Sequence, residues 1–533
     1  MKNKTLGKIV SLMLVAMMLV ALTSCSKNSD EANTIDTEVR DFDIFAGISS
    51  LSPDNSEKPV IKEMNENMDV NINWNCVSGD TLTERKNLIL NAGNDLPDAL
   101  MGAALTDYEI ITNGSNGIFI PLEDYINEET MPNLSALIKQ RPDLLSTCTM
   151  PDGHIYTLPT IREMGFDYNG SQFSIFSIPQ FSNINTAWLD KLGLPMPTTV
   201  DELHNVLVAF KENDCNGNGD PNDEIPLSFE WNHWCANVTS LFSGFGFTDY
   251  NSDHRAIKDG EVYYQDATEN YKEAIKTLHQ WYEEGLIDIE AFSQSDSQYI
   301  AKGSSRDERL GVFSWWEISE VAGEHADDYS YLTFLSGKDG KFGVNLNEAG
   351  TTSHDGFAVT NSCKNPELLL KWIDQSYDPI ISMQIIYGPI GVYFEDQPDE
   401  NGVYIETPEA GGALKSKSEI YGPSRQLSED YGTYYYLEER AQQRLDDLKY
   451  TWFENVDNFE IYPSVVYTLD ETETINEYLS DITSYTSEKS ANWIVNGGID
   501  EEWDAYISQL DKMGLQKLVD SWQSAYDRYK NVK

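Results

Sequence analysis

The chain between residues 41 and 103 alternates strand-like and helix-like segments, which constrains the fold more than any other feature. Segments of strand character, alternating polar and apolar or short and apolar, are residues 41–46, 70–74 and 97–103. Helical segments separate them at residues 57–68 and from a Thr81-x-x-Glu84 capping box to Gly93. This order predicts an α/β fold with a largely parallel sheet covered by helices. Ligands of such sheets bind beyond the carboxyl ends of strands, at loops 47–55 and 104–108 here.

The length and the later helical patterns predict more than one lobe. Residues 200–213 follow a Thr199-x-x-Glu202 capping box, and their apolar positions share one helix face: Leu203, Val206, Leu207 and Phe210. Another apolar stripe runs over residues 271–281 and stops at Gly285, and two long helices are predicted over residues 475–493 and 501–529. Without the first 24 of its 533 residues the chain is still too long for one hydrophobic core.

The N-terminus has the order of an export signal. Lys2, Lys4 and Lys8 precede an uncharged apolar run over residues 9–22, and small residues then lead to Cys25. The run is shorter than the ~20 residues of a spanning helix. Leu22-Thr23-Ser24-Cys25 resembles the lipobox of bacterial lipoproteins, which predicts a lipidated Cys25 and an extracytoplasmic protein anchored to the membrane by lipid. The alternative is a plain secretory signal in which Cys25 is incidental.

The charge balance excludes one class of partner. The chain carries 37 Lys and Arg against 88 Asp and Glu, a net charge of −51. No nucleic acid partner is expected, because no basic surface is available to displace counterions from phosphates. Five cysteines besides Cys25 lack the CxxC spacing of zinc sites, and we expect them to be mostly buried apolar residues.

Residues 214–226 contain the most specific internal motif. Oxygen-bearing side chains recur on alternate residues before an acidic pair, as in an EF-hand loop: Asp214, Asn216, Asn218, Asp220, Asp223 and Glu224. Gly219 occupies the sharp turn, but the position of the closing bidentate Glu is Ile225, so closure must differ. The motif predicts a structural Ca²⁺ site within 214–224, and the alternative is a plain Asn/Gly turn.

Two pairs of tryptophans predict a sugar site. Trp231 and Trp234 lie close together in one segment, and Trp315 and Trp316 end a strand-like segment. Indole faces stack on sugar rings while neighbouring polar side chains bind the hydroxyls. A single tryptophan is otherwise a large core residue. Trp315 and Trp316 would point to opposite faces of a strand, so at most one belongs to the same core.

Catalytic templates are missing, which favours a binding protein over an enzyme. The sequence contains no Gly-x-Ser-x-Gly, His-Glu-x-x-His, GxxxxGK[ST] or GxGxxG motif. With 88 acidic residues, chance carboxylate pairs carry no weight, so an exported carbohydrate-active enzyme using an Asp/Glu pair stays an alternative. A surface adhesion protein is the other alternative.

Several segments together resemble family 1 of the bacterial extracellular solute-binding proteins, the ligand receptors of ABC importers. They are residues 96–99, 185–194, 282–288, 355–359 and the tail from 493 to 529, and loop 214–226 resembles the calcium loop of the alginate- and oligosaccharide-binding lipoprotein branch. The resemblance implies two α/β lobes, each with a mostly parallel sheet flanked by helices, and a ligand cleft between them. It also implies an oligosaccharide ligand, permease partners, a monomer and no enzymatic activity.

The resemblance also implies a domain organisation. We expect a signal peptide at 1–24, an anchor and tether at 25–40, the N-lobe at 41–165 and 353–450, the C-lobe at 166–352, and a helical segment at 451–533 packing mainly on the C-lobe. Crossings between the lobes are predicted near 156–184, near 353–359 and within 425–465. His354 and Asp355, at the second crossing, are predicted ligand contacts by position.

Overall fold

A computed structural model describes residues 36–49, 52–93, 95–163, 165–168, 171–174, 181–246, 253–332, 335–337, 352–407, 418–436, 446, 462–463 and 465–532. Its strands are β1 Asp41–Ile48, β2 Asn71–Ser78, β3 Ala99–Met101, β4 Thr157–Ile161, β5 Gly165–Tyr168, β6 Ser171–Ser174, β7 Phe181–Asn185, β8 Ile225–Ser228, β9 Arg255–Lys258, β10 Glu261–Tyr264, β11 Leu310–Trp315, β12 Tyr329–Tyr331, β13 Thr352–Val359, β14 Tyr404–Ile405 and β15 Tyr435–Tyr436. Its α-helices are Pro59–Met68, Gly79–Ala92, Asp107–Ser115, Pro132–Gln140, Asp143–Cys148, Thr186–Leu192, Val200–Glu212, Glu269–Glu283, Asp296–Gly303, Ile318–Ala322, Pro366–Asp374, Pro379–Ile386, Leu469–Asn496, Ile499–Lys512 and Leu515–Val532.

The first lobe is built on a five-stranded sheet in the order β2-β1-β3-β13-β4. β1 is parallel to β2 and β3, whereas β13 is antiparallel to both β3 and β4. Successive residues of β1 enter different cores, because side chains alternate between the two faces of a strand. Ile44 packs into one core with Trp372, and Phe45 packs into the other with Ile110. Helices therefore cover both faces of this sheet.

The second lobe is built on a four-stranded sheet in the order β12-β7-β11-β8. β8 and β11 are parallel, and β7 runs against both β11 and β12. The four apolar positions predicted in the helix Val200–Glu212 are all buried in the core of this lobe. The two-lobed α/β prediction is confirmed, and each of the two sheets contains one reversed strand.

The C-terminal helices pack into the core of the second lobe. Ile482, Trp493, Tyr506 and Trp522 share that core with Trp281 of the helix Glu269–Glu283. The prediction of a single helix over 501–529 is wrong. Two helices, Ile499–Lys512 and Leu515–Val532, replace it, because the chain turns at Gly514 with φ +94°, a conformation that glycine adopts without strain.

Two other predictions concern a capping box and the crossings between the lobes. The Thr81 capping box does not form: the helix begins two residues earlier, at Gly79, after Ser78. Residues 353–359 lie within β13 of the first sheet, and residues 338–351, which precede that strand, lie outside the described part, so the second crossing stays a prediction. Most of the third predicted crossing, residues 437–445 and 447–461, also lies outside it.

Two remaining features of the fold are the burial of its cysteines and the length of its helices. The five described cysteines are free thiols, and all except the half-buried Cys76 are buried. The described helices include no segment with the length and hydrophobicity that crossing a bilayer demands.

Candidate functional site

The carboxyl edges of the two sheets carry the candidate site. In the second lobe, β8 ends at Ser228 and β11 ends at Trp315, and the two strands are parallel neighbours. β7 runs the opposite way and enters the sheet beside Trp315, because Phe181 pairs with Trp315. The chain therefore arrives in the second lobe at the edge where the tryptophan segments begin. In a two-lobed protein with a ligand cleft, the segments that join the lobes lie at the edges of the sheets that border the cleft.

The indole of Trp315 is buried and packed against neighbouring side chains at this edge. Its side chain is only 6% exposed, and the imidazole of His233 stacks on it with ring centroids 4.9 Å apart and planes 11° apart. The indole Nε1 donates a hydrogen bond to Glu320 Oε2 at 2.9 Å. Trp316 is half-buried, so the two neighbours differ in environment, as a strand end predicts.

The other tryptophan pair also divides into an exposed and a packed member. Trp234 is 65% exposed, next to His233. Trp231 packs on Phe292 at 5.5 Å, and its Nε1 donates to Ser487 Oγ at 3.0 Å. Trp231 thereby joins its loop to the C-terminal helix Leu469–Asn496, and Trp234 presents the larger free aromatic face.

A pair of carboxyl groups that the sequence did not single out lies beside these rings. Burial and the nearby charge of Asp296 raise the pKa of Glu230 to about 7. Glu230 Oε2 is buried and has no hydrogen-bond donor among the described residues. Asp296 Oδ2 also lies 3.6 Å from His233 Nε2. Glu230 stands within the tryptophan segment and was recognisable there, whereas Asp296 comes from a distant helix and carried no sequence signal.

Tyr421, Arg162 and Glu419 form the matching edge of the first lobe. Tyr421 is 37% exposed, and its backbone approaches Gly102 so closely that a Cβ atom on Gly102 would lie 2.6 Å from the Tyr421 carbonyl oxygen. Arg162, directly after β4, forms an ion pair with Glu419 at 2.8 Å. An aromatic face and a charged pair thus also occur where β3 and β4 end.

His354 and Asp355 lie in an irregular part of β13, where the register with β4 shifts between Ser353 and Phe357. His354 Nε2 lies 2.7 Å from Asp107 Oδ1, and the other Asp107 oxygen accepts the backbone N–H of Tyr467 at 3.0 Å. Burial is the largest single influence and lowers the pKa of His354, but the hydrogen bond to Asp107 and the negative charges of Asp107 and Asp355 together outweigh it, so the pKa is raised. Ser353 Oγ donates to Asp355 Oδ1 at 2.9 Å. Through Asp107, His354 therefore links β13 to the segment that leads into the C-terminal helices.

The predicted calcium loop is folded around its own side chains. Asp214 accepts hydrogen bonds from the backbone of Gly217 at 2.7 Å and of Gly219 at 3.0 Å, and both glycines have positive φ. The side-chain amides of Asn216 and Asn218 donate to the two oxygens of Asp223, at 3.2 and 2.9 Å. The alternate oxygen-bearing side chains named from the sequence are thus brought together, except Asp220, whose carboxylate accepts from Asn222.

Glu224 closes the loop from inside. It is 8% exposed, and its Oε1 accepts the backbone N–H groups of Cys215 at 2.7 Å and Asn216 at 3.3 Å. Its second oxygen, Oε2, is buried without a hydrogen-bond partner. A buried carboxylate oxygen without a donor is costly unless a cation neutralises it. The donor set, all oxygen, is the kind that Ca²⁺ prefers, so the residues present fit that ion.

Cys25, the predicted lipidation site, lies outside the described residues.

Comparisons with known proteins fit this geometry. A model of the family described as bacterial extracellular solute-binding protein matches residues 49–377. FusA of Streptococcus pneumoniae serotype 4, a fructooligosaccharide ABC transporter substrate-binding protein, is 35% identical over 551 residues, which cover 100% of both chains.

Solved structures agree with the sequence match. FusA from S. pneumoniae in complex with kestose is 36% identical, with a TM-score of 0.83 over 92% of this chain and 100% of that chain, and the same values hold for an EF-hand mutant of FusA in complex with fructo-nystose. An HMO-binding, ABC-transporter-associated solute-binding protein from Bifidobacterium longum infantis is 26% identical, with a TM-score of 0.79 over 92% and 99% of the two chains. The chain therefore belongs to the bacterial extracellular solute-binding protein family.

Proposed function

We propose that this protein is the lipid-anchored oligosaccharide receptor of an ABC importer. The observation that carries the proposal is the full-length similarity to FusA, which is named for fructooligosaccharides. The edge of the second sheet supports it, because an exposed indole, Trp234, lies four residues from Glu230, a partly buried residue whose Oε2 has no hydrogen-bond partner among the described residues. Cys25 is the proposed lipid attachment site, and permease subunits are the proposed partners of a monomeric receptor.

The chemistry of this edge suits a sugar. The apolar C–H face of a sugar ring covers the indole of Trp234, and hydroxyl groups donate to the carboxylate of Glu230. The imidazole of His233 is held against Trp315 and keeps the surrounding loop in place. From the opposite lobe, Tyr421 offers a second aromatic face. A sugar bound to both lobes favours the closed form, because it contacts both edges only when they approach each other.

Calorimetry on residues 26–533 tests the ligand class. We expect kestose and related fructooligosaccharides to bind with a dissociation constant in the micromolar range or lower, and peptides to give no heat of binding. Binding of peptides without any sugar would contradict the proposal. Sugar recovered unchanged after long incubation supports a receptor, whereas conversion that is abolished by Glu230→Gln would favour a carbohydrate-active enzyme.

Trp234→Ala tests the site within the same assay. About half of the exposed indole, ~80 Å², is covered when a sugar stacks on it, which corresponds to ~2 kcal/mol, or ~30-fold in affinity. Ile289→Ala is the matched control, because Ile289 is an apolar side chain of the same lobe that is 77% exposed. If both variants bind sugar with equal affinity, the sugar does not stack on Trp234.

We also propose that Asp214, Asn216, Asn218, Asp220, Asp223 and Glu224 hold a structural Ca²⁺ ion. The unpartnered oxygen of Glu224 and the EF-hand mutant of FusA support this proposal. We expect Asp214→Ala to abolish the rise in melting temperature that Ca²⁺ causes, while sugar affinity stays nearly intact. Asp399→Ala is the control, since Asp399 accepts similar backbone hydrogen bonds in the first lobe at 2.9 Å. A Ca²⁺ response that survives in Asp214→Ala would leave the loop as a plain turn.

A further inference from the structure

Three side chains with metal-binding groups meet at the opposite edge of the second sheet. Glu308 precedes β11, and His325 and Asp328 belong to the short 3₁₀ helix Gly323–Asp328 that precedes β12. One ligand atom from each of them, a nitrogen and two carboxylate oxygens, lies within 4.8 Å of the other two. This Glu308–His325–Asp328 triad is the single such group of three among the described residues.

The triad is held in place but leaves its imidazole unused. Asn185, which is fully buried at the end of β7, donates its side-chain amide to Glu308 Oε1 at 2.8 Å. The backbone oxygen of Asp328 accepts a hydrogen bond from Thr186 Oγ1 at 2.9 Å. In contrast, His325 Nδ1 is 3.9 Å from Asp328 Oδ2, and His325 Nε2 is buried without a hydrogen-bond partner. A half-buried imidazole between two carboxylates thus has no close protein partner for either ring nitrogen in the described part of the chain.

We propose that Glu308, His325 and Asp328 bind a divalent transition-metal ion of the Zn²⁺ class. One imidazole and two carboxylates are donors that Zn²⁺ accepts, and three protein ligands leave a fourth position for water. Bonds of about 2.0–2.1 Å in a tetrahedral site require donors about 3.4 Å apart. The triad therefore has to contract by at most about 1.4 Å, which side-chain rotation supplies.

The metal would act on the fold and not on the sugar. Glu308 lies before the first residue of β11, whereas Trp315 is its last, which separates the two edges by about 20 Å at ~3.3 Å per residue. The triad also differs from the calcium loop in its donors, because an imidazole nitrogen is a poor ligand for Ca²⁺. A bound ion would fasten the segments that lead into β11 and β12, while Asn185 joins β7 to the same point.

Zinc titration of residues 26–533 in saturating Ca²⁺ tests the proposal. We expect calorimetry to give one Zn²⁺ per chain, with at least tenfold weaker binding in His325→Phe and in Asp328→Asn. Co²⁺ should give visible absorption bands in the wild type that are lost in His325→Phe. Asp214→Ala, in the calcium loop, should bind Zn²⁺ as the wild type does. Excess Ca²⁺ should not compete.

His154→Gln is the matched control. His154 also faces a carboxylate, with Nδ1 at 2.6 Å from Glu123 Oε1, but the described residues add no third metal-binding side chain to this exposed pair. Its replacement should leave Zn²⁺ binding unchanged. If His325→Phe does not fold by circular dichroism, Asp328→Asn decides the question. A wild type that takes up no Zn²⁺, or triad variants that bind it as tightly as the wild type, would overturn the proposal.

Discussion

The bridge from His354 to Asp107 should stabilise the protein in a pH-dependent way. We expect a double-mutant cycle with His354→Phe and Asp107→Asn to give a coupling free energy of about 2–3 kcal/mol at pH 5.5, because a hydrogen bond between charged groups contributes about 1.5–3 kcal/mol. The two atoms are 2.7 Å apart, and the side chain of His354 is only 13% exposed, so solvent screens the pair weakly.

The sign of the pH dependence follows from the raised pKa of His354. A histidine whose pKa is raised by folding contributes its full stabilisation below its usual pKa of 6.5 and loses it as the pH rises through the folded value. Above the folded pKa of His354 the imidazole is neutral, and the coupling measured at pH 9 should fall to about 1 kcal/mol. Urea unfolding of the four proteins, followed by tryptophan fluorescence at pH 5.5 and pH 9, measures both values.

The pair of His154 and Glu123 is the matched control for this cycle. Its two atoms are equally close, at 2.6 Å, but both side chains are much more exposed. We therefore expect a smaller coupling that is further reduced by salt. An equal coupling in the two cycles, or a coupling at His354 that does not change with pH, would refute the reasoning from burial.

Three further predictions concern single residues. Sugar affinity should rise between pH 6 and pH 8 as Glu230, whose pKa is about 7, becomes a stronger acceptor, and a flat calorimetric profile in Glu230→Gln checks this. Gly311→Ala should lower the free energy of unfolding by about 1–3 kcal/mol in urea, since its Cβ would lie 2.5 Å from Phe210 Cδ2; an unchanged midpoint would contradict it. Lys86→Met should lower the free energy of unfolding by about 3–5 kcal/mol in the same assay, because the buried Lys86 ammonium donates to Glu109 at 2.7 Å and to Ala104 O at 2.6 Å. An unchanged free energy of unfolding would show that this ion pair does not stabilise the fold.

Sequence periodicity predicted what depends on local packing. The buried face of the helix Val200–Glu212 was readable because apolar residues recur at helical spacing, and Gly93 ends its helix with φ +62° as predicted. The break at Gly514 was missed because the apolar stripe continues on both sides of it. Apolar residues at helical spacing indicate which face of a helix is buried, but they do not indicate where the chain turns.

The candidate site was only partly predictable for a different reason. The tryptophan segments stood out by composition, so Trp234 and Trp315 could be named, but their exposure depends on what packs on them in three dimensions. Asp296 lies 66 positions after Glu230, and only the fold brings it to the same edge. Distant partners of this kind leave no trace in the spacing of one sequence.

The shared core of the second lobe has a consequence for how the chain acquires its structure. Ile184 and Trp522 both belong to this core although they are 338 positions apart, with much of the first lobe in between. Contacts so far apart in sequence form slowly, because a long loop must close before any of them is made. Before the last helices are synthesised, the aromatic side chains of the second-lobe core lack part of their packing partners. The core of the second lobe is therefore complete only after the helices Leu469–Asn496, Ile499–Lys512 and Leu515–Val532 have been synthesised.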